Sequence, residues 1–411
     1  MDLELVIIGT ELLLGLTADT NGAEIAQALS ARGVRVVRRT AVADREEDIR
    51  AAVRDALARS GAVLTTGGLG PTRDDITKKV VADLFGAPLQ FDDSVWADLL
   101  ARFARLGRTP APSNRSQAEV PRGASVLRNR WGTAPGLWLE GKAGLAIMLP
   151  GVPGEMRNLL EHEVAPRLAS SAARGVIRSL VVRTTGIPES SLAERIGAIE
   201  REIAPLTLAY LPGLEGVDLR LTAWNLPAED ADRRLRAAAI TLASRAGDVV
   251  YGEGDIDLAA VVLEQARARA MSIATAESCT GGLVGARLTE VPGSSDVFLG
   301  GVVAYHNDVK TSLLGVPPEL IAAHGAVSEP VVIAMARGAA EHLGADAAVA
   351  VTGIAGPAGG STPKPVGTVW LGLACRGRME AKRTVLPGNR GEIRARAAQA
   401  ALRFLLRGIS T

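Results

Sequence analysis

The stretch AVLTTGGLGPTRDDITKKVVADLFG, residues 62–86, shows how this chain is built. It opens with a short apolar run, which predicts a buried strand, and the run ends in glycines at 67, 68 and 70. The residues from Asp74 onward have the spacing of a helix. A strand that passes through a glycine loop into a helix is the repeating unit of parallel sheets covered by helices.

The same alternation continues on both sides of this stretch. The further strands and helices that we predict are LELVIIG (3–9), TNGAEIAQALSARG (20–33), VRVVRRTAV (34–42), EEDIRAAVRDALARSG (46–61), AGLAIMLPG (143–151) and EMRNLLEHEVAPRL (155–168). Such short links between strands and helices predict a three-layer domain, a parallel sheet with helices on both faces.

A different order of elements begins near Val176. The segments predict the order β-α-β-β-α-β, with elements at 178–185, 189–201, 207–211, 217–224, 228–245 and 249–251. That order is a split βαβ sandwich, a small α+β module that we interpret as a spacer or assembly domain. Strands and helices alternate again beyond Gly252–Asp255. We therefore predict an α/β protein of three domains, 1–172, 173–252 and 253–411.

The composition excludes several classes of protein. The net charge is +1 and aromatic residues make up 3%, which argues against a nucleic-acid-binding surface. The two cysteines, Cys279 and Cys375, form no CxxC motif and predict neither a disulfide framework nor a zinc site. No apolar run approaches the roughly 18 residues of a membrane span, and no basic leader precedes the first strand. We expect a cytoplasmic protein without membrane contact.

The glycine loop at 65–79 has the features of a phosphate site. Glycines allow a ligand to approach the backbone, and a helix N-terminus offers free N–H groups to an anion. Four acids follow predicted strands at the same sheet edge and could bind a divalent cation that bridges to phosphate: Glu11, Asp44, Asp74 and Asp75. The alternative is a tight turn whose acids cap a helix or face solvent.

The motif TAESCTGGLVGARL, residues 275–288, predicts a strand, a polar turn and a helix. Ser278 at such a turn can be an exposed nucleophile. The amides of Thr280, Gly281 and Gly282 could form an oxyanion hole or a phosphate nest. The alternative is that Ser278 or Thr280 simply caps the helix.

A serine nucleophile needs a base, and no histidine lies in a convincing motif. In YHNDVK, Tyr305 closes a predicted strand and Lys310 lies on the next helix. A desolvated lysine can act as the base, although an ordinary surface lysine is the alternative. In VTGIAGPAGGSTPKPVGTVW, residues 351–370, a predicted strand ends at Thr352–Gly353. The glycine- and proline-rich stretch that follows, up to the next strand, predicts a loop that covers a small ligand.

The chain resembles the CinA family (competence/damage-inducible protein) over essentially its whole length. The resemblance lies in GTELLLGLTADTNGAEIAQAL (9–29), Thr65–Lys79, PGVPGEM (150–156) and the three C-terminal motifs. It implies a molybdopterin-binding-like first domain that hydrolyses ADP-ribose to AMP and ribose 5-phosphate with Mg, Mn or Co, followed by a KH-like middle domain. The ADP-ribose ligands that it implies are Asn21, Gly67, Gly68, Gly70, Thr72 and Asn114, with Gln117 matching in an unassigned role. It assigns Asp74 and Asp75 to the metal or the diphosphate, and we add Glu11 and Asp44 as metal ligands because of their predicted place at the same sheet edge.

For the C-terminal domain the resemblance implies a nicotinamide mononucleotide amidohydrolase without a cofactor. The products are nicotinate mononucleotide and ammonia. Ser278 would attack the carboxamide, and Lys310 and Tyr305 would handle protons. The implied substrate-binding residues are Glu277, Thr280, Gly281, Gly282, Asn307, Ser328, Thr352, Gly353 and Arg390. The resemblance also implies a homodimer.

Two alternatives to this bifunctional hydrolase stay open. The first is a non-enzymatic accessory protein of DNA uptake or repair, which the family name suggests. The sequence contains no basic run and no recognised nucleic-acid motif to support it. The second is a deamidase whose N-terminal domain only binds a nucleotide, because a shared fold does not imply hydrolysis.

Overall fold

A computed structural model describes residues 1–169 and 175–410. The predicted boundary between residues 172 and 173 lies outside the described residues, as does Thr411. The chain divides into two compact units, Met1–Arg178 with Ala223–Arg234 and Ser179–Thr222 with Leu235–Thr411. The second unit therefore contains most of the middle module together with the C-terminal domain.

The N-terminal domain contains a six-stranded sheet in the order β2-β1-β3-β8-β7-β6 and a separate pair, β4 and β5. Its strands are β1 Asp2–Ile8, β2 Arg35–Val42, β3 Ala62–Thr66, β4 Leu89–Phe91, β5 Glu119–Pro121, β6 Ser125–Leu127, β7 Gly136–Gly141 and β8 Gly144–Leu149. The strands β2, β1, β3 and β8 are parallel, as predicted. The sheet is nevertheless mixed, since β7 and β6 add to it in antiparallel fashion.

Helices cover the sheet of this domain. They are α1 Thr10–Leu13, α2 Asn21–Ser30, α3 Glu46–Ser60, α4 Thr77–Leu84, α5 Asp93–Arg105, α6 Pro153–Leu159 and α7 Ala165–Ala169. A single π-helical segment, Leu160–Val164, joins α6 to α7. The stripe of Ile49, Val53 and Leu57 on α3 is buried, as its spacing predicts.

Helix α4 begins three residues later than the sequence predicts. Asp75 is engaged in a turn, because its carboxylate accepts hydrogen bonds from Thr72 N at 2.8 Å and Thr72 Oγ1 at 2.5 Å. Thr77 N donates back to Gly68 O at 3.2 Å. Local side-chain bonding of this kind competes with helix formation, so the helix starts at Thr77.

The middle module has the predicted order of elements. They are β9 Val176–Thr184, α8 Glu189–Ile196, β10 Thr207–Pro212, β11 Val217–Leu226, α9 Ala228–Ala246 and β12 Val250–Glu253. The strands form one sheet in the order β10-β11-β9-β12. The first helix ends at Ile196, because Gly197 leaves the helical conformation with φ of 68° and a 3₁₀ turn follows at Ile199–Arg201.

The C-terminal domain is a second α/β sheet, in the order β14-β13-β15-β16-β17. Its elements are α10 Leu258–Ala268, β13 Ile273–Glu277, α11 Leu283–Glu290, β14 Phe298–Val303, α12 Asn307–Leu314, α13 Pro318–His324, α14 Glu329–Leu343, β15 Ala347–Gly353, β16 Thr368–Cys375, β17 Arg378–Val385 and α15 Arg390–Ser410. β14, β13 and β15 are parallel. β16 and β17 continue the sheet in antiparallel fashion.

Within residues 1–169 and 175–410, no helix has both the length and the apolar character needed to cross a bilayer.

Candidate active site

The three C-terminal motifs converge at the carboxyl edge of the second sheet. Ser278 follows β13, Tyr305 lies two residues beyond β14, and Thr352 lies at the end of β15. These strands are adjacent and parallel, with β13 in the middle. The chain leaves β13 for β14 on one side and later adds β15 on the other, which is the kind of edge where open α/β sheets bind ligands.

Ser278 lies in a tight turn and is 8% exposed. Its N–H donates to Val351 O at 2.9 Å, which fixes the start of the turn on the neighbouring strand, and Gly281 N donates to its carbonyl at 3.1 Å. Helix α11 begins only at Leu283, and its N-cap residue is Gly282. Ser278 therefore does not cap the helix, and the hydroxyl is left for other chemistry.

Glu277, which the resemblance implies as a substrate contact, binds backbone amides of its own domain. Its side chain is 1% exposed, and its carboxylate accepts N–H groups from Gly282 at 2.9 Å, Val284 at 3.1 Å and Gly285 at 2.8 Å. It satisfies the free amides at the start of α11. The amides of Gly281 and Gly282 are thus used within the protein, which removes two of the three predicted oxyanion donors.

Lys310 is buried, with 1% of the residue exposed. The interpretation of Lys310 as a surface lysine is therefore wrong. Nζ donates to Ala304 O at 2.8 Å and Tyr305 O at 3.2 Å, and burial lowers the pKa of the amine below its usual value. Among the hydrogen bonds of the described residues, none joins Lys310 Nζ to Ser278 Oγ.

Cys279 is the other nucleophile in the turn. Burial raises the pKa of its thiol to about 12, so the thiolate is scarce at neutral pH. A Cβ atom placed on Gly353 would lie 3.0 Å from Cys279 Sγ, which shows that the thiol packs against the end of β15. The thiol contributes packing, and Ser278 remains the candidate nucleophile.

Arg390 and Tyr305 form a polar pair at the exposed side of the site. Arg390, the first residue of α15, donates to Tyr305 Oη at 3.0 Å and to Gly356 O at 2.7 Å. Tyr305 is 62% exposed. Asn307, at the start of α12, is also exposed. These groups offer a cation and two polar side chains to a ligand.

Arg394, which lies one helical turn after Arg390, was not among the predicted site residues. Its Nη2 donates to Thr280 O at 2.9 Å, so two arginines of α15 reach the site. The spacing of four residues on a predicted helix was the signal that could have identified it.

The remaining predicted hydroxyls are buried beside the site. Thr352 Oγ1 donates to Ala326 O at 2.9 Å, and Ser328 Oγ donates to Gly325 O at 2.8 Å. Thr280 Oγ1 is buried and has no hydrogen-bond partner among the described residues. Buried polar atoms are normally paired, so this hydroxyl favours a ligand or water as its partner.

In the N-terminal domain a cavity of about 130 Å³ lies at the carboxyl ends of β1 and β3. Asn21 lines it and donates to Thr66 Oγ1 at 3.1 Å and Gly151 O at 2.8 Å. Asn21 Oδ1 is buried without a partner in the described part of the chain, which leaves one acceptor for a ligand.

The glycine loop packs closely onto its own domain. A Cβ atom at Gly67 would lie 2.2 Å from Ile8 O, one at Gly68 2.0 Å from Thr77 Oγ1, and one at Gly70 2.5 Å from Asp75 Oδ2. Gly67 and Gly68 also have positive φ, so glycine is required at these two positions whether or not phosphate binds there, whereas the contact at Gly70 is with the movable end of a side chain.

The four predicted metal ligands do not assemble into one site. Asp44 accepts hydrogen bonds from Thr10 N at 2.8 Å and Thr10 Oγ1 at 3.0 Å, and Asp75 is held by Thr72. Glu11 and Asp74 are exposed. Residues 1–169 and 175–410 contain no cluster of three or more His, Cys, Asp or Glu side chains that could hold a metal ion. This arrangement does not fit a metal held by all four acids.

Asn114 and Gln117 stabilise a 3₁₀ helix, Pro112–Ala118. Asn114 Oδ1 accepts from Ala111 N at 2.9 Å, and its Nδ2 donates to Gln117 Oε1 at 2.9 Å. The side chain of Asn114 is thus engaged within the protein, where the resemblance implies a substrate contact.

Three family models match the chain. They are "Probable molybdopterin binding domain" over residues 4–170, "Damage-inducible protein CinA KH domain" over 179–252 and "CinA C-terminal domain" over 255–409. A CinA-like protein of Gemmatimonas aurantiaca is 53% identical over 414 residues, covering 100% of this chain and 97% of that protein. The chain belongs to the CinA family.

Other relatives agree with this membership. A CinA-like protein of Salinibacter ruber is 43% identical over 412 residues and is covered in full. The crystal structure of a competence/damage inducible protein from Agrobacterium tumefaciens is 42% identical, with 38% of this chain and 94% of that one covered and a TM-score of 0.37. The three family models, which match successive parts of the chain, confirm the predicted α/β organisation in three domains. The domain boundaries stay predictions.

Proposed function

We propose that this chain is a cytoplasmic hydrolase that converts nicotinamide mononucleotide to nicotinate mononucleotide and ammonia. The observation that carries the proposal is the placement of Ser278 and the buried Lys310 around adjacent parallel strands, beside the Arg390–Tyr305 pair. A serine, a desolvated amine and an arginine at one sheet edge suit an amide substrate that carries a phosphate.

In this proposal Ser278 Oγ attacks the carboxamide carbon, and its proton passes to Lys310 Nζ. The C–N bond breaks as Lys310 returns the proton to the leaving nitrogen, and ammonia departs from an acyl-serine. Water then adds to the acyl carbon and gives a proton to Lys310, which passes it to Ser278 Oγ as nicotinate mononucleotide leaves. Contacts between nucleophile and base often tighten only when substrate binds.

Burial of Lys310 supports its assignment as the base. A charged amine loses hydration in an apolar site, so the neutral form that can accept a proton is favoured. In this proposal Arg390 binds the phosphate with two N–H groups, the same groups that contact Tyr305 Oη and Gly356 O in the structure. Tyr305 then becomes free to contact the substrate.

Ammonia release from nicotinamide mononucleotide tests the proposal. We expect Ser278→Ala and Lys310→Met to lose on the order of a thousandfold in kcat/KM. Lys142→Met is the control, because Lys142 is exposed in the turn between β7 and β8. Turnover by Ser278→Ala at the wild-type rate would remove the covalent mechanism, and no release by folded wild-type protein would exclude the deamidase.

We further propose that the N-terminal domain binds ADP-ribose at the carboxyl edge of its sheet, with one polar group of the ligand in the cavity beside Asn21. The unpartnered Asn21 Oδ1 favours a ligand there. The four acids do not form a common metal site, so the contacts within this domain support binding of ADP-ribose only. Hydrolysis of ADP-ribose rests on the family resemblance alone. Assays of AMP release with Mg, Mn or Co, on wild type and Asp74→Ala, separate the two cases. Binding without AMP release would identify a domain that only binds.

The accessory role in DNA metabolism has its own test. A gel-shift titration with single- and double-stranded DNA at low salt should show no complex, since non-specific binding depends on basic surface charge. A salt-sensitive complex would instead favour the accessory role.

A further inference from the structure

A cavity of about 490 Å³ lies in the second unit, separate from the residues around Ser278. The loops Thr185–Glu189 and Pro212–Val217 of the middle module form one side of it. The helix α15 and the strand β17 of the C-terminal domain form the other side. Cavities of this size are typical of sites for small organic ligands.

Specific contacts hold the middle module against α15 at this cavity. Gln399 Nε2 donates to Thr185 Oγ1 at 3.1 Å, and Arg403 Nη1 donates to Gly186 O at 3.1 Å. Gly186 has a φ of 74°, a backbone conformation that favours glycine, where its carbonyl meets Arg403. The cavity is therefore built by matched groups of both domains.

Basic side chains outnumber acidic ones in the lining. The basic residues are Lys382, Arg396, Arg403 and Arg407, and the acidic residues are Glu189 and Glu215. Glu215 is already paired, with Arg183 at 3.1 Å and Arg287 at 3.5 Å. Lys382, Arg396 and Arg403 alone thus outnumber the two acids, and one of these acids, Glu215, is neutralised by arginines outside the lining. The excess charge favours an anionic ligand.

Two of these cations are poorly compensated. The side chain of Arg403 is 17% exposed, and within the described part of the chain its one ion pair is with Asp248 at 3.5 Å, an acid that also pairs with Arg195 at 3.2 Å. Burial lowers the pKa of Arg403, and the charges of Arg407 and Arg195 lower it further. Arg396 Nε is buried and has no hydrogen-bond partner among the described residues. An N–H donor in that state lacks an acceptor that a ligand can supply.

The rest of the lining is apolar. Leu371 and Lys382 are direct neighbours across β16 and β17, so an aliphatic wall stands next to an ammonium. Leu386, Phe404 and Leu214 extend this wall. A bare inorganic anion would leave most of this surface unused. A ligand with a phosphate and a flat or apolar part would use both kinds of surface.

We propose that this cavity is a binding site for a small phosphorylated organic molecule of the size of a nucleoside monophosphate. The phosphate lies among Lys382, Arg396 and Arg403, and the organic part contacts Leu371 and Phe404. The site is distinct from the Ser278 turn and from the cavity beside Asn21.

Titration calorimetry of the full chain in metal-free buffer, with uridine monophosphate as probe and uridine as its uncharged counterpart, tests the proposal. We expect the nucleotide to bind at least tenfold more tightly than uridine. The double variant Lys382→Gln/Arg396→Gln should lose at least tenfold in affinity for the nucleotide. Lys142→Gln should bind as wild type.

Arg390→Gln separates this cavity from the candidate active site, and we expect it to retain wild-type affinity for the probe. Lys382→Gln alone serves if the double variant fails to fold, because Lys382 is exposed, and it should weaken binding several-fold. Unchanged affinity in the Lys382 and Arg396 variants would overturn the proposal. So would loss of binding in Arg390→Gln alone, or equal affinity for uridine.

Discussion

The environment of Lys310 determines how activity should respond to pH. Its pKa is lowered from the ordinary 10.5 by burial, with a smaller opposing effect from Cys279. A base must be deprotonated to accept a proton, so kcat/KM should rise with pH and level off above the pKa of Lys310. We expect the midpoint of this rise in kcat/KM to lie at a lower pH than the pKa of an ordinary lysine. Lys310→Arg should be inactive throughout, because arginine stays protonated.

The measurement is ammonia release from nicotinamide mononucleotide between about pH 6 and 10. A profile of kcat/KM that does not rise with pH, or an active Lys310→Arg variant, would show that Lys310 is not the base.

Glu277 acts on the candidate nucleophile through the backbone. Its carboxylate accepts three amides of the turn and of α11, so the charge holds the segment that carries Ser278. Glu277→Gln keeps the size but turns an amide group toward N–H donors, which should cost about 1–3 kcal/mol of stability. We expect kcat to fall at least tenfold with KM little changed, because the residue is buried away from substrate.

Asp346→Asn provides the matched control for Glu277→Gln. Asp346 accepts from Ser272 N at 2.8 Å and Ser272 Oγ at 2.8 Å in the same unit, at the amino ends of β13 and β15 and so at the opposite edge of the sheet from Ser278. Melting curves should show that both variants lose stability, and ammonia assays should show that only Glu277→Gln loses turnover. An equal loss of activity in both would reduce Glu277 to a stabilising role.

At the scale of elements, burial explains which strands the sequence predicted. β3 and β15 are almost wholly buried and appear as continuous apolar runs, so their positions were legible. β17 was missed because it is an edge strand with mostly exposed residues, RMEAKRTV, and has no apolar run. β6 has only three residues, which is too short for a periodic signal.

The candidate site was predictable to the extent that its residues lie at the carboxyl ends of parallel strands. Ser278 follows the buried strand β13, Thr352 lies at the end of the buried strand β15, and Tyr305 lies two residues beyond the half-exposed strand β14. They were found because these carboxyl ends meet at one edge of the sheet. The role of Glu277 as an acceptor for backbone amides could not be predicted, because it depends on the three-dimensional course of the turn after β13. The same reasoning predicted that the four acids of the N-terminal domain meet at one sheet edge. They do not form a common site, because Asp44 is bound by Thr10 and Asp75 by Thr72.

Helix α4 carries a lysine that should make stability depend on pH. Lys78 is 6% exposed, its Nζ contacts Ser116 O, and burial lowers its pKa to about 8. An unfolded lysine titrates near 10.4, so between about pH 8 and 10.4 the unfolded state binds more protons. The free energy of unfolding should therefore rise with pH across this window, by about 3 kcal/mol in total.

Urea unfolding at several pH values checks this expectation. Lys78→Met should lack the rise and should be more stable than wild type at pH 7, because no buried charge remains. Lys79→Met, at the exposed neighbouring position, should behave as wild type. A Lys78→Met protein that keeps the full pH dependence would assign it to other groups.

At the scale of the whole molecule, the division into two units has a spectroscopic consequence. Four of the five tryptophans, Trp96, Trp131, Trp138 and Trp224, belong to the first unit, and Trp370 belongs to the second. Tryptophan fluorescence therefore follows mainly the first unit, while calorimetry follows both. Separate compact units commonly unfold in separate transitions, so ligand effects can be assigned to a unit.

Nicotinamide mononucleotide should stabilise only the second unit. With the Ser278→Ala protein, which binds without turnover in the proposed mechanism, ligand at 100 times its Kd adds about 2.7 kcal/mol to the state that binds it. We expect one calorimetric transition to move up by several degrees while the fluorescence transition stays in place. ADP-ribose should do the reverse, since its proposed site lies in the first unit. An equal shift of both transitions by either ligand would show that the two units unfold as one. If nicotinamide mononucleotide shifted only the fluorescence transition, it would bind to the first unit, which would contradict the proposal.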